Sequence, residues 1–151
     1  MIQRIQSVYL FLAVVVLGLL FFFPLANFSN NQDIIIFSIK GFSRFSPLEQ
    51  TPTWPLLVIN TLSIVLTIVA IVLFKNRPLQ IRLTRFALML NLGFIALTYF
   101  VYGDHLAKVI KMPVNYELGS FLPVIALVFH VLAIYAINKD ERLIKSIDRI
   151  R

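Results

Sequence analysis

The 151-residue chain has no cysteine and few charged residues. The absence of cysteine excludes disulfides, zinc ribbons, thiol catalysis and a lipoprotein acyl anchor. Charged residues make up 14% of the chain, whereas a soluble domain has about 25%. Apolar and aromatic residues reach 59%, and the mean hydropathy is +0.86. This composition excludes a disordered chain and a soluble nucleic-acid-binding domain, and it indicates a membrane protein.

Four apolar segments have the length of about twenty residues that crosses a hydrocarbon core of about 30 Å. The predicted spans cover residues 5–25, 54–74, 83–102 and 118–137. They predict an all-α membrane protein, a bundle of four transmembrane helices in a single domain over residues 1–151. A cleaved secretory signal is the alternative for the first segment. Its run is long and bulky and lacks a small-residue cleavage pattern, so we expect it to be retained.

Lys and Arg residues near span ends predict the orientation, because they stay on the cytoplasmic side of a membrane. Ten of the fourteen lie at the N-terminus, in the 75–85 connection or in the 138–151 tail. Both termini are therefore predicted to be cytoplasmic, in a multi-pass protein. The predicted cytoplasmic basic surface consists of Lys75, Arg77, Arg82, Arg85, Arg142, Lys145, Arg149 and Arg151.

Two segments outside the predicted spans have a recognisable pattern. In the first external loop, residues 27–53, the β-branched and aromatic run 34–39 is followed by Gly41 and a second short run at 42–45. This predicts a small β hairpin that caps the bundle, and the alternative is a docking edge for a partner strand. The tail 138–151 predicts a basic amphipathic helix that contacts anionic inner-leaflet lipids or a partner. Nucleic acid is not expected, because no aromatic platform accompanies the basic residues.

The predicted spans contain no Asp, Glu, Lys or Arg. They therefore lack the carboxylates of ion-coupled transporters and the Arg ladder of a voltage sensor. Small and polar residues recur instead at helical spacing, as membrane helices that pack on one another require. The three stripes are Asn60, Ser63, Thr67 and Ala70; Ala87, Asn91 and Thr98; and Gly119, Pro123, Ala126, His130 and Ala133.

Three of these residues have similar predicted depths in the membrane. Thr67 and His130 are each seven residues from the predicted inner ends of their spans, and Asn91 is six residues past Arg85. At about 1.5 Å per residue, all three lie about 10 Å below the cytoplasmic interface. We predict an intramembrane polar layer of Thr67, Asn91 and His130, with His130 hydrogen-bonded to one of the other two. The layer is either structural or a proton or ligand site.

Motifs for enzymatic chemistry are weak. Ser63 lies in a stripe, but no acid at that depth could orient His130 in a triad. The five glycines are isolated, so there is no phosphate-binding loop. Asp104, His105 and Glu117 lack the spacing of metal ligands on one helix face. We expect no cofactor, no metal and no catalytic residue.

The two ends of the chain carry a family resemblance. They comprise MIQRIQSVYL over residues 1–10, GSFLP over 119–123, NKDE over 138–141 and DRIR over 148–151. These stretches resemble a family of small four-span inner-membrane proteins of Bacteroidota, catalogued only as a domain of unknown function. The resemblance implies a Gram-negative inner membrane, periplasmic external loops and hence a periplasmic hairpin. It implies no site residue. The order of elements is also similar to that of claudin-like bundles, in layout only.

These observations favour a non-enzymatic accessory or scaffold subunit of a membrane complex. Its expected partner is another membrane protein or a second copy of the chain. The first alternative is a small transporter or channel subunit that uses the polar layer around His130. The second is a membrane enzyme acting on lipid, which would need several convergent polar groups at an interface.

Overall fold

The computed structural model describes residues 3–29, 34–43 and 52–148. Its helices are α1 (Gln3–Leu19), α2 (Trp54–Val72), α3 (Arg77–Ala96), α4 (Leu106–Ile110) and α5 (Leu118–Asp148), with a π-helical segment (Leu97–His105) between α3 and α4. Its strands are β1 (Ala26–Ser29), β2 (Ile34–Ser38), β3 (Gly41–Ser43) and β4 (Val114–Tyr116). Three helical stretches are long and apolar enough to cross a membrane: Trp54–Val72, Arg77–Lys108 and Leu118–Arg142.

The four long helices form a bundle. In it α1 packs on α2 and α5, and α3 packs on the same two helices from the other side. One end, here called the basic end, is where α1 begins, α2 ends and α3 begins, and it carries Lys75, Arg77, Lys139 and Arg142. The opposite end is the sheet end. Large apolar side chains such as Phe11, Phe86 and Phe100 are exposed on the outer faces.

Each long helix buries one stripe of residues at alternating spacings of four and three. The stripes are Gln6, Leu10, Ala13 and Leu17 in α1; Leu56, Asn60, Ser63, Thr67 and Ala70 in α2; Gln80, Thr84, Ala87, Asn91 and Phe94 in α3; and Gly119, Pro123, Ala126, His130, Ala133, Ile137 and Asp140 in α5. A repeat averaging 3.5 residues is typical of helices that pack side by side in left-handed bundles. Every member of the three predicted stripes is buried.

The first helix is shorter than the predicted span 5–25. It ends at Leu19, and the apolar helix Ile5–Leu19 falls below the length of the three long ones. The chain then forms tighter turns, in which Phe21 N–H donates to the Gly18 carbonyl (3.2 Å) and Phe22 N–H donates to the Leu19 carbonyl (3.0 Å). Pro24 disfavours helical geometry in the residue before it, so the chain leaves the helix here.

The third helix begins six residues before the predicted start of its span. Pro78 occupies its first turn, where a missing N–H does no harm. The link from α2 is therefore only residues 73–76, and Arg82 and Arg85 lie on α3 rather than in a connection. Beyond Ala96 the helix continues through the π-helical segment into α4, so residues 103–110 are helical although the predicted third span ends at residue 102.

The strands form one four-stranded antiparallel sheet in the order β3-β2-β1-β4. The predicted hairpin corresponds to β2 and β3, although residues 44 and 45 of its second run lie outside the described residues. Two further strands were not predicted. In the sheet, β1 pairs Ala26 with Phe37 of β2 on one side and with Tyr116 of β4 on the other. The sheet thus joins the loop after α1 to the segment between α4 and α5.

One face of the sheet packs on the end of the bundle. Phe28 and Phe37 are fully buried, whereas Ile34 and Ile36 on the other face of β2 are 58% and 40% exposed. The Phe37 ring stacks on Tyr102 of the π-helical segment with centroids 5.4 Å apart. The sheet-end core therefore combines side chains from the sheet with side chains from the helices.

The last helix runs unbroken from Leu118 to Asp148. The predicted fourth span and the predicted tail helix are thus one element. The side chain of Lys145 and the structure of Arg149 and Arg151 lie outside what is described. These three members of the predicted basic surface have no structural outcome.

Gly119 lies at the closest contact between α5 and the turn after α1. Its N–H donates to the Pro24 carbonyl (3.1 Å), and a Cβ added at this glycine would lie 2.2 Å from that carbonyl oxygen. Because the obstacle is backbone, Gly119→Ala should destabilise the protein by about 2 kcal/mol or more. Thermal unfolding in detergent measures the loss. Gly93→Ala is the matched control, because no atom lies within 4 Å of its added Cβ. An equal loss in both variants would contradict the contact.

Candidate functional site: a polar seam inside the bundle

The bundle interior contains polar side chains along most of its length. We call this set the polar seam: Gln6, Asn60, Ser63, Thr67, Gln80, Thr84, Asn91, Thr98, Ser120, His130 and Asp140, each at most 6% exposed. The exposed faces of the same helices are apolar. This inverts the distribution of a soluble protein and matches helices that hydrogen-bond to one another in lipid.

Thr67 and His130 are in contact at the middle of the seam. The Thr67 Oγ1 and His130 Nε2 atoms lie 3.0 Å apart, and His130 Nδ1 lies 2.8 Å from the Ala126 carbonyl oxygen. A carbonyl only accepts, so Nδ1 carries a proton and donates to it. In the neutral ring Nε2 then accepts a hydrogen bond from the Thr67 hydroxyl.

The same oxygens could also accept from a protonated ring. Thr67 Oγ1 lies 2.7 Å from the Ser63 carbonyl oxygen, to which its hydroxyl donates when Nε2 is itself a donor. One rotation of the Thr67 hydroxyl therefore fits the site to either charge state of His130. The arrangement is capable of binding and releasing a proton, and it is equally capable of serving as a packing contact.

Asn91 does not lie with the other two residues of the predicted layer. Its side-chain amide donates to the Pro123 carbonyl (2.9 Å), seven residues before His130 on α5 and thus about 10 Å towards the sheet end. The depth prediction for Asn91 took Arg85 as the membrane interface, whereas α3 begins at Arg77. Asn91 therefore lies about two helical turns from the level of Thr67 and His130, towards the sheet end.

Thr84 occupies the level that was predicted for Asn91. The contacts between α3 and α5 pair Asn91 with Pro123 and Arg77 with Asp140. Interpolation along the antiparallel helices places Thr84 opposite residues 130–133. Thr84 is fully buried, and its hydroxyl donates to the Gln80 carbonyl (2.9 Å).

The seam reaches the basic end at Asp140. The Gln6 amide of α1 donates to Asp140 Oδ2, and Arg77 Nη1 donates to the backbone carbonyl of Asp140 (3.4 Å). Asp140 Oδ1 and both polar atoms of the Gln80 side chain have no hydrogen-bond partner among the described residues. These atoms stand out, because buried polar groups in proteins are nearly always bonded.

The predicted basic surface is only partly a surface. Lys75, Arg82, Arg85 and Arg142 are exposed, whereas Arg77 is half-buried and bonds to Asp140. One predicted member thus belongs to the wall of the seam. The remaining described members surround the basic end on α3, on α5 and on the link after α2.

The described residues between the predicted third and fourth spans hold no cluster of metal ligands. Asp104 and His105 are exposed, and the Glu117 carboxylate accepts from the Asn27 amide (2.7 Å). Across the described ranges, no three His, Asp or Glu residues converge as metal ligands would. Burial, followed by the Asp104 carboxylate and Tyr99, raises the pKa of the Tyr116 hydroxyl.

A family model described as a domain of unknown function, DUF4293, matches residues 2–150. The chain belongs to the DUF4293 family. No curated protein and no solved structure matches it. The resemblance at the two ends of the sequence to a family of unknown function is thereby confirmed, and membership in DUF4293 brings no known activity to any residue of the seam.

The prediction missed five seam residues of this DUF4293 chain, which are Gln6, Gln80, Thr84, Ser120 and Asp140. A signal was present for Asp140, because the stripe of Ala126, His130 and Ala133 continues at the same spacing to position 140. The charge itself concealed this continuation, since charged residues were taken to mark the end of a span. Gln80 and Thr84 were concealed in the same way by the neighbouring Arg77, Arg82 and Arg85.

Thr67 and Thr61 allow the interhelical bond to be tested on one helix. Both hydroxyls contact the carbonyl four residues earlier at 2.7 Å, but only Thr67 also contacts a neighbouring helix. Thr67→Val should destabilise the protein by about 1 kcal/mol, the scale of interhelical hydrogen bonds in membranes. It should also shift the ¹⁵N resonance of His130 Nε2. Thr61→Val, on an exposed residue, should do neither. Equal behaviour of the two variants in unfolding and NMR measurements would rule out the bond.

Proposed function

We propose that this chain is a four-span integral protein of a bacterial inner membrane with both termini in the cytoplasm. We propose further that it acts without catalysis, as an accessory or scaffold subunit of a membrane complex. The main support is the distribution of polarity. Apolar side chains cover the outer faces, and most polar side chains of the described interior are directed to backbone carbonyls or to other side chains.

The first helix is the shortest of the four proposed spans. Its 17 residues correspond to about 25 Å, and the apolar turn that follows it adds to this length. It packs against α5 and α2. A thin or locally adjusted bilayer accommodates such a length at a modest cost.

The scaffold role is supported by two surfaces outside the apolar bundle. The outer face of the sheet carries the exposed Ile34 and Ile36. The basic end carries Lys75, Arg82, Arg85 and Arg142. Another subunit of a membrane complex could contact either surface. The bundle holds the two surfaces on opposite sides of the bilayer.

A small transporter or channel subunit is the second candidate. It is favoured by the partnerless atoms of Gln80 and Asp140, which lie on the seam between the basic end and His130. The sheet end argues against a continuous path. There the seam meets a cluster of buried apolar side chains that includes Phe28, Phe37 and Phe94.

Single cysteines test the orientation, because the chain has none of its own. Lys40 is exposed in the turn between β2 and β3, and Lys75 is exposed at the basic end. In spheroplasts, a membrane-impermeant maleimide should label Lys40→Cys directly but Lys75→Cys only after lysis. Val128→Cys, on an exposed apolar face of α5, should resist labelling in both states. The reverse pattern would overturn the proposed topology.

A photo-crosslinking residue at Ile36 tests the scaffold role in the cell membrane. We expect one discrete adduct with another membrane protein, recovered at constant stoichiometry after extraction in mild detergent. The same residue at Val65, on an exposed apolar face of α2, is the control and should give lipid adducts only. Recovery of a lone monomer or homo-oligomer across several detergents would contradict an accessory subunit.

A further inference from the structure

A cleft of about 270 Å³ lies between α1 and α5 near the basic end. Its apolar wall is formed by Ile5, Leu132 and Ala136, and its polar rim by Tyr9, Tyr135, Lys139 and Asp140. Apolar walls below tyrosines and charged groups are typical of the depth at which lipid headgroups lie. Position and composition therefore both suit a lipid rather than a water-soluble ligand.

The rim of this cleft carries two adjacent opposite charges. Lys139 is exposed, whereas Asp140 is 6% exposed and its carboxylate accepts a hydrogen bond from Gln6 at Oδ2. Asp140 Oδ1 has no partner among the described residues, and Arg77 bonds to the backbone carbonyl of Asp140 rather than to its carboxylate. Among the described residues, the carboxylate therefore has no cationic donor. A buried charge is stable only when it is paired and hydrogen-bonded, so this carboxylate suits a cationic ligand group.

A second cleft of about 220 Å³ lies between the same two helices at the sheet end. It is lined by apolar side chains that include Leu19, Phe23, Leu118 and Ile125. Of these two clefts, the one at the sheet end is lined by apolar side chains, and the one at the basic end adds the charged Lys139 and Asp140. This is the arrangement that a headgroup with an attached acyl chain requires.

We propose that the cleft binds phosphatidylethanolamine from the leaflet at the basic end. Lys139 binds the lipid phosphate, and the primary ammonium donates to the Asp140 carboxylate. The acyl chain extends from this cleft over the apolar side chains of α1 and α5 towards the sheet end. A purely anionic headgroup would bring no cation to Asp140, and a choline headgroup has no N–H to donate.

The proposal rests on the placement of the bundle in a membrane, but not on which leaflet faces the cytoplasm or on a scaffold role. Native mass spectrometry of the purified chain tests it directly, with phosphatidylethanolamine, phosphatidylcholine or phosphatidylglycerol added at equal concentration. We expect phosphatidylethanolamine to bind about tenfold more tightly than either of the others, as one charge-assisted hydrogen bond would give. A wrong topology would leave this result unchanged, so the two failures are distinguishable.

Two substitutions test the ammonium contact and the phosphate contact of the headgroup separately. Asp140→Asn keeps an acceptor for Gln6 but loses the charge, so it should abolish the preference over phosphatidylcholine. Lys139→Gln, at an exposed position that leaves folding intact, should weaken all three phospholipids. Lys75→Gln is the control, since it removes an equal charge at the same end outside the cleft. Equal binding of the three lipids, preference for phosphatidylglycerol, or no effect of Lys139→Gln would each overturn the proposal.

Discussion

The bundle depends on a single spacing of buried residues. In every long helix, the residues that face the interior follow one another at alternating steps of four and three, which average 3.5 residues. This spacing lets four helices present apolar side chains to the outside on nearly all of their surface. It also gathers the polar residues where they can bond to a neighbouring helix. In a lipid environment the apolar faces supply no drive for association, so close packing and interior hydrogen bonds must hold the helices together.

The interior hydrogen bonds fix the axial position of each helix, although each contributes little to the free energy of folding. Asn60 donates to the Leu17 carbonyl, Ser63 to Ala87 and Asn91 to Pro123, so three side chains link α1 to α2, α2 to α3 and α3 to α5. Each bond contributes only about 0.6 kcal/mol on average. A slide of any one helix by one turn would break the bonds that this helix makes to its neighbours, which makes the alignment of the four helices specific.

The sequence predicted the buried stripes well because small and polar residues contrast sharply with the apolar faces around them. It predicted helix ends poorly, since a charge within a helix resembles the edge of a membrane. Arg82 and Arg85 are exposed on α3, while the neighbouring Gln80 and Thr84 are buried. The depth of Asn91 was misjudged for this reason. The strand β4 has three residues and no internal pattern, so only its pairing with β1 defines it.

The π-helical segment explains how the helix that begins with α3 packs in the bundle at one end and against the sheet at the other. Up to Thr98 its buried residues follow the spacing of the bundle, and beyond it Tyr102 and Leu106 are buried at steps of four. In the wider i to i+5 turns of this segment, these residues continue to face inward. Tyr102 then reaches the Pro52 carbonyl (2.6 Å) ahead of α2, and Tyr99 reaches the Ser120 carbonyl (3.1 Å) in α5. The irregular turn therefore allows one helix to pack in the bundle and to support the sheet.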